Sequence, residues 1–334
     1  MIINTKSYPR AALIGNPSDG YFGKTIAFVF SNFSAEVVLY ETPELEILPQ
    51  ERDRSIYKNI NGLYEDVQLF GYYGGIRLLK AAIKKFVEYC VANRVVLDQR
   101  NFTIRYQSDI PNRLGLAGSS AIITACMKAL MAFYNIRIPR QLLANLVLSV
   151  ERDELGISAG LQDRVAQAYE QPVYMDFDKS YFEKQEYGYY ETFSATRLKN
   201  IYIAYRTDLS EGSEVFHNDI RSRFDRGDES VVAAMKGFAD LTVQAKKLLD
   251  GGEISAIGPL LDANFDLRSS IYQISEKNKE MVSLARAKGA SAKFTGSGGA
   301  IIGTYKDEAM FEALCSQLAA HKIEVIKPKI VANS

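Results

Sequence analysis

The stretch from Pro111 to Ile122 reads Pro-Asn-Arg-Leu-Gly-Leu-Ala-Gly-Ser-Ser-Ala-Ile and carries the residue types that hold an anion. Gly115 and Gly118 let the backbone approach a charged group closely and adopt angles closed to other residues. Ser119 and Ser120 bring hydroxyls to the start of a segment, Ser119 to Tyr134, that reads as a helix. Unpaired N–H groups and the positive dipole end there favour a phosphate. Ser120 can also offer an oxygen to Mg²⁺, which takes hard oxygen ligands. The plainer reading is a Gly-Ser turn that caps an ordinary helix.

A second cluster follows, Glu151-Arg-Asp-Glu-Leu-Gly-Ile-Ser-Ala-Gly-Leu-Gln-Asp163-Arg-Val-Ala-Gln. Phosphoryl transfer to an alcohol needs a metal to screen the phosphates, an acceptor for the alcohol proton and a cation near the transferring group. Glu151 ends a predicted helix and can reach a metal, with Asp153 and Glu154 as close competitors. Asp163 follows a turn containing Gly156 and Gly160 and opens a helical segment. Taken singly, Asp163 reads as a helix cap and Glu151 as part of a solvated face, because acidic residues are mostly exposed.

Other chemistries fit poorly. Two histidines, His217 and His321, lie far apart, which disfavours both a metal site and a Ser-His-Asp hydrolase. Three cysteines, Cys90, Cys126 and Cys315, are scattered in apolar segments and suggest neither a disulfide framework nor zinc. Forty basic and forty acidic residues cancel, so nothing in the bulk charge calls for nucleic acid or an anionic membrane. No run reaches the length that spans a bilayer, and the N-terminus does not read as a secretory signal. The expectation is a cytoplasmic protein, monomer or homodimer, without nucleic-acid or membrane partners.

The elements that must position these groups alternate between strand and helix patterns. Ala11 to Ile14, Thr25 to Phe30 and Ala35 to Tyr40 read as strands, with a dense turn cluster from Gly15 to Gly20. Gly74 to Val91 reads as an amphipathic helix, Phe102 to Gln107 as a half-buried strand and Arg140 to Asp153 as a helix. After Asp176 the chain becomes aromatic and polar, and a domain junction is placed near there. Ile201 to Tyr205 restarts as a strand, and Glu229 to Leu249 and Ser275 to Lys288 read as helices. The end reads strand–turn–strand–helix–strand. The chain's 334 residues and this order predict an α+β protein of two domains, 1–195 and 196–334. Gly23-Lys24-Thr25 mimics the end of a Walker A loop, but Ser18 stands where that motif needs glycine and strand-like residues follow.

The Pro111 segment resembles the phosphate-loop signature of the GHMP kinases, whose usual form is Pro, three residues, then Gly-Leu-Gly-Ser-Ser-Ala. This chain carries one residue more. Pro9-Arg10-Ala-Ala-Leu-Ile-Gly15 looks like the family's first motif, with Asn16, Pro17 and Ser18 in place of Glu-His-Thr and Asp19 retained. Lys293-Phe-Thr-Gly-Ser-Gly-Gly-Ala300 looks like its third, a glycine loop. The resemblance implies a ribosomal-protein-like N-terminal domain, a ferredoxin-like C-terminal domain and a site between them. It implies ATP and Mg²⁺ as cofactors. Gly115, Leu116, Ala117, Gly118, Ser119, Ser120, Gly296, Ser297 and Gly298 would bind the nucleotide. Ser120 and Glu151 would hold the metal, Asp163 would be the catalytic base and Arg10 would act beside it.

A finer resemblance is to glucuronokinases, carried by the stretches Tyr72 to Ala81, Gly115 to Ile122, Glu154 to Glu170 and Asn264 to Tyr272. It implies phosphorylation of a sugar acid, D-glucuronate, at its anomeric hydroxyl. A uronate carboxylate asks for an arginine fork, and Arg268, Arg164 and Arg113 are the candidates. Asp19 either accepts from sugar hydroxyls or stabilises its own turn. The competing readings are a neutral hexose, a heptose or an isoprenoid alcohol as substrate, and a catalytically silent sensor.

Overall fold

A computed structural model of the chain describes residues 1–49, 53, 74–207 and 214–332, with side chains from 220 onward in the last stretch. Tyr72 and Tyr73, and the side chain of His217, lie outside the described residues. The strands are β1 (Ile2–Ser7), β2 (Arg10–Ile14), β3 (Lys24–Val29), β4 (Ala35–Thr42), β5 (Glu46–Leu48), β6 (Asn101–Ser108), β7 (Val173–Asp176), β8 (Tyr189–Thr192), β9 (Ile201–Arg206), β10 (Lys293–Phe294), β11 (Ala300–Thr304) and β12 (Ile323–Ile326). The helices are α1 (Gly75–Ala92), α2 (Gly118–Phe133), α3 (Arg140–Ser149), α4 (Gln162–Tyr169), α5 (Lys179–Gln185), α6 (Glu214–Asp225), α7 (Glu229–Asp250), α8 (Gly258–Ile271), α9 (Glu276–Arg286) and α10 (Glu308–Ala319).

These elements form two compact units, each assembled from several stretches. One comprises Met1–Pro9, Phe33–Ile110 and Ala117–Ala168; the other comprises Arg10–Asn32, Pro111–Leu116 and Tyr169–Ser334. The first unit is a sheet in the order β1-β4-β6-β5 with helices against it. Along β4, Ala35, Val37 and Leu39 are buried while Glu36, Val38 and Tyr40 are only half-buried, the period-2 pattern of a sheet with one covered face. α2 is the helix that covers it. Residues 120 to 127 of α2 are buried without a break, as in a helix enclosed on all sides. Thr5 Oγ1 donates to Ala125 O at 2.7 Å and pins α2 to β1. The helix that begins at the phosphate-loop serines is therefore fixed along its length.

The second unit holds two sheets, β2-β3-β7-β8 and β10-β11-β9-β12. Tyr202, Phe265, Met281, Phe294, Ile301, Leu314 and Leu318 join strands of the latter to α8, α9 and α10 in one apolar cluster. The predicted strands and helices recur here with shifted ends. Three differences stand out. The Arg140 helix changes to a π-helical turn at Val150–Glu154. The aromatic stretch after Asp176 carries α5 and β8, and β8 pairs with β7. The stretch around Arg268, polar by composition, is the regular helix α8. Lys24 lies on β3 and forms an ion pair with Asp176, which accounts for it without a nucleotide. Among the described residues, no helix is long and apolar enough to cross a membrane.

Gly303 in β11 is a point where the packing admits no side chain. A Cβ there would lie 1.7 Å from Ser291 O and 2.7 Å from the Tyr202 ring, and Ser291 O also accepts from Tyr202 Oη at 2.8 Å. The obstacle is backbone, so it cannot swing aside. Gly303→Ala is expected to cost about 1–3 kcal/mol or more, the range for overpacking a core. A urea midpoint equal to that of the wild type would contradict this packing.

Candidate active site

In the first unit, four of the residues singled out above are joined by side-chain contacts. Ser119, in the first turn of α2, donates from Oγ to Glu151 Oε1 at 2.7 Å. Arg164 donates from Nε to Glu151 Oε2 at 2.6 Å, and its Nη2 also meets that oxygen. The same guanidinium lies 3.2 Å, through Nη1, from Asp163 Oδ2 and donates to Gly160 O at 2.9 Å. Ser119, Glu151, Arg164 and Asp163 thus form one chain of polar contacts. Glu151 has no exposed surface and the Arg164 side chain is 5% exposed. A charged pair so buried requires its partners to be present together.

Local backbone explains how Glu151 reaches the loop. It stands in the π-helical turn that follows α3, where Leu155 N bonds to Val150 O. Such turns rotate the side chains that follow and are frequent at functional sites. The acidic competitors point elsewhere: Asp153 is exposed and Glu154 pairs with Lys84 on α1 at 2.5 Å. Asp163 sits at the second residue of α4, where a helix N-terminus favours an ionised carboxylate. Ser120 is fully buried and donates back to Ala117 O at 3.1 Å, so the hydroxyl on Glu151 is that of Ser119.

The loop itself passes from the second unit into the first at Ala117. Gly115 has φ +65°, and a Cβ there would lie 2.8 Å from Ser297 N. A Cβ on Gly296 would lie 2.2 Å from Gly115 O. The phosphate loop and the third glycine loop therefore pack backbone on backbone, Leu116 O accepts from Arg10 N at 3.0 Å, and Leu116 is buried. Gly118 is different, since a Cβ would meet only Ile110 at 3.5 Å. The left-handed residue is Ala117, at φ +62°.

The glycine loop at 295–299 rests on cations. Arg10 donates through Nη1 to Gly115 O at 3.1 Å and to Thr295 O. Arg268 donates to Gly296 O at 2.8 Å and to Ser297 O at 3.3 Å, so Arg268, Gly296 and Ser297 come together. A Cβ on Gly298 would meet Asn278 Nδ2 at 3.2 Å. Asp19 lies in the short turn Ser18–Tyr21, close enough for its charge to act on Arg268. Arg113 is half-buried in the loop with φ +59°. Among the described residues, no group of three His, Cys, Asp or Glu side chains could hold a metal alone. The oxygens at the start of α2 and on Glu151 are nonetheless hard donors of the kind Mg²⁺ takes.

Sequence reading did not single out Lys293, Asn16 or Gln167. Gln167 donates to Tyr8 O at 3.1 Å and Ala117 O at 3.0 Å, tying α4 to the loop. Its signal was the spacing of three from Arg164, which puts both on one helix face. Asn16 donates to Phe294 O and Gly296 O. Lys293 is buried and donates to Ala12 O and Phe294 O, both at 2.7 Å. Burial, helped by the Arg268 and Arg10 charges, pulls its ammonium well below the ordinary lysine value.

That shift has a sign that can be measured. The unfolded chain holds the Lys293 proton up to about pH 10.5, while the folded chain releases it earlier. The unfolded state then binds more protons over that window, so the group costs stability progressively as pH falls below 10.5. Lys293→Met is expected to improve relative to the wild type as pH is lowered from alkaline values, until the folded-state value is passed. Urea midpoints of the two proteins that stay a constant distance apart over this range would refute it.

The chain is similar to known proteins along most of its length. A model of the GHMP kinases N terminal domain matches residues 77–171, and one of the GHMP kinases C terminal matches residues 245–323. Glucuronokinase 1 of Arabidopsis thaliana is 40% identical over 306 residues, which are 90% of this chain and 84% of that protein. D-glycero-alpha-D-manno-heptose 7-phosphate kinase of Campylobacter jejuni is 23% identical, over 70% of this chain and 68% of that protein. In fold, the chain resembles the crystal structure of Lactococcus lactis galactokinase complexed with galactose. That match has a TM-score of 0.75 at 17% identity and covers 99% of this chain and 94% of that one. The crystal structure of a Lin0012 protein from Listeria innocua gives 0.82 at 13% identity, over 99% and 98% of the two chains. By both family models and by its identity to the Arabidopsis relative, the chain belongs to the GHMP kinases.

Proposed function

We propose that the protein transfers the γ-phosphoryl group of ATP to the anomeric hydroxyl of a sugar acid, D-glucuronate, giving D-glucuronate 1-phosphate. The observation that carries the reaction type is the contact chain Ser119–Glu151–Arg164–Asp163 at the start of a buried helix. It supplies an anion-binding helix end, a metal-facing carboxylate and a second carboxylate in one place. The 40% identity to a glucuronokinase over 90% of the chain supports the substrate. A cytoplasmic setting is part of the same reading.

The roles follow from charge and position. Backbone amides at Gly118, Ser119 and Ser120, with the loop Gly115 to Ala117 and the glycines at 296–298, bind the nucleotide phosphates. Glu151, with a serine hydroxyl at the start of α2, would hold Mg²⁺; sequence favours Ser120 for that hydroxyl and the contact to Glu151 favours Ser119. Mg²⁺, when bound with the nucleotide, screens the phosphate charge. Asp163 takes the proton of the anomeric hydroxyl as it attacks. Arg10 offsets charge on the transferring group. In the second unit, Asp19 accepts from sugar hydroxyls, and the remaining N–H groups of Arg268 face the carboxylate.

A panel of sugars and alcohols incubated with ATP and Mg²⁺ tests the substrate. D-glucuronate is expected to drive ADP release and to yield the 1-phosphate. ADP release with galactose, a heptose or mevalonate but with no uronic acid would end the sugar-acid reading. Nucleotide binding without any transfer would favour a silent sensor. Asp163→Asn is expected to lower kcat by about 10²- to 10⁴-fold, the usual share of a general base, while ATP binding measured by calorimetry persists. Wild-type turnover in that variant would remove Asp163 from the mechanism.

A further inference from the structure

Arg164 touches both carboxylates of the first unit's site. Its fork is divided: Nε and Nη2 serve Glu151 Oε2, while Nη1 serves Asp163 and the carbonyl of Gly160. We propose that Arg164 is a positioning residue that holds Glu151 and Asp163 in register, and that its charge moderates the hold of Glu151 on a divalent cation. The proposal rests on the kinase reading above.

Three features support it. First, two carboxylates brought to one site repel each other unless a cation lies between them. Arg164 supplies that cation and is itself nearly removed from solvent. Second, its fixed planar fork makes the orientation of Asp163 depend on that of Glu151. Glu151 is in turn held by Ser119 at the start of α2. The proton acceptor is thereby located relative to the phosphate-binding helix end by side chains and not only by the backbone. Third, Arg164 occupies Oε2 of Glu151 with two N–H groups, which leaves Oε1 as the oxygen turned to the loop. A carboxylate so compensated attracts a divalent cation less strongly than a bare one. The metal would then be held chiefly when nucleotide phosphates share it. Arg164 is thus distinct from a surface arginine and from a direct ligand of the sugar.

Arg164→Lys, Arg164→Met and the charge-balanced pair Glu151→Gln with Arg164→Met separate the possibilities. Two measurements apply to each: kcat and KM with the sugar acid, and ATP affinity by calorimetry with and without Mg²⁺. Arg164→Met is expected to lose about 100-fold in kcat, as for a misplaced reacting group, with the sugar KM little changed. Its gain in ATP affinity from Mg²⁺ is expected to exceed that of the wild type, because Glu151 is no longer compensated. Arg164→Lys, which keeps the charge without the fork, should retain the wild-type Mg²⁺ gain and lose part of kcat. The double variant should lose the enlarged gain.

A merely structural arginine would reduce the folded fraction and leave the Mg²⁺ gain of the folded protein as in the wild type. That result, or an undiminished kcat in Arg164→Met, overturns the proposal. Should Arg164→Met not fold, Arg164→Lys and the double variant decide by the same two readouts. The calorimetry needs no sugar, so a wild type inactive on every uronic acid would end the substrate reading while the Arg164 assignment is still decided.

Discussion

A carboxylate without exposed surface needs hydrogen-bond donors from the protein in place of the water it has lost. Glu151 meets that condition through three donors, one from Ser119 and two from Arg164. Removing Arg164 strands a charge in the interior, which costs far more than an ordinary contact. The elements around it are correspondingly fixed. α2 is enclosed and tied to β1, α4 is tied to the loop by Gln167, and the π-helical turn aims Glu151 at the start of α2. A chemistry that needs a carboxylate at a set distance from a phosphate has a rigid frame on which to place it.

The second unit answers a different constraint. Its glycine loop has carbonyl groups that would repel a phosphate if they turned outward. Arg10, Arg268 and Lys293 each donate to backbone carbonyls in or beside that loop, and Asn16 adds two more donors. Lys293 pairs with no carboxylate among the described residues, and both of its acceptors are backbone carbonyls.

How much of this was readable beforehand depended on what lay on the buried faces. Elements whose buried residues are apolar and spaced along one face, such as β4 and α1, declared themselves by period. α8 did not, because Asn264 and Arg268 share its buried stripe with Leu261, Phe265 and Ile271. A hydrophobic count treats those two as solvent-facing, so the element that carries Arg268 reads as a polar stretch. β8 was hidden by its length and by tyrosines that pack sideways, Tyr190 against Tyr169 and Phe177. The Ser119, Glu151 and Asp163 cluster was legible as separate motifs. The joining role of Arg164 was not, because an arginine thirteen residues from one acid, Glu151, and one from the other, Asp163, has no periodic signature. The break of the Arg140 helix into a π-helical turn was equally silent, since its residues are ordinary helix formers.

The residue that lengthens the phosphate loop is accommodated at Ala117. A left-handed alanine costs about 1–2 kcal/mol and persists only where its surroundings demand it. Here they do: Ala117 O accepts from Ala121 N, from Ser120 Oγ and from Gln167 Nε2, all within 3.1 Å. The chain must therefore turn left-handed at Ala117 to aim one carbonyl at three donors, and only then can Gly118 enter the helix. The turn explains why Ser120 faces inward: its hydroxyl is one of those three donors. It also explains why Ser119, one position earlier, is the serine left to meet Glu151. The added alanine, the inward Ser120 and the outward Ser119 are thus a single structural choice, made by the hydrogen bonds that converge on one carbonyl.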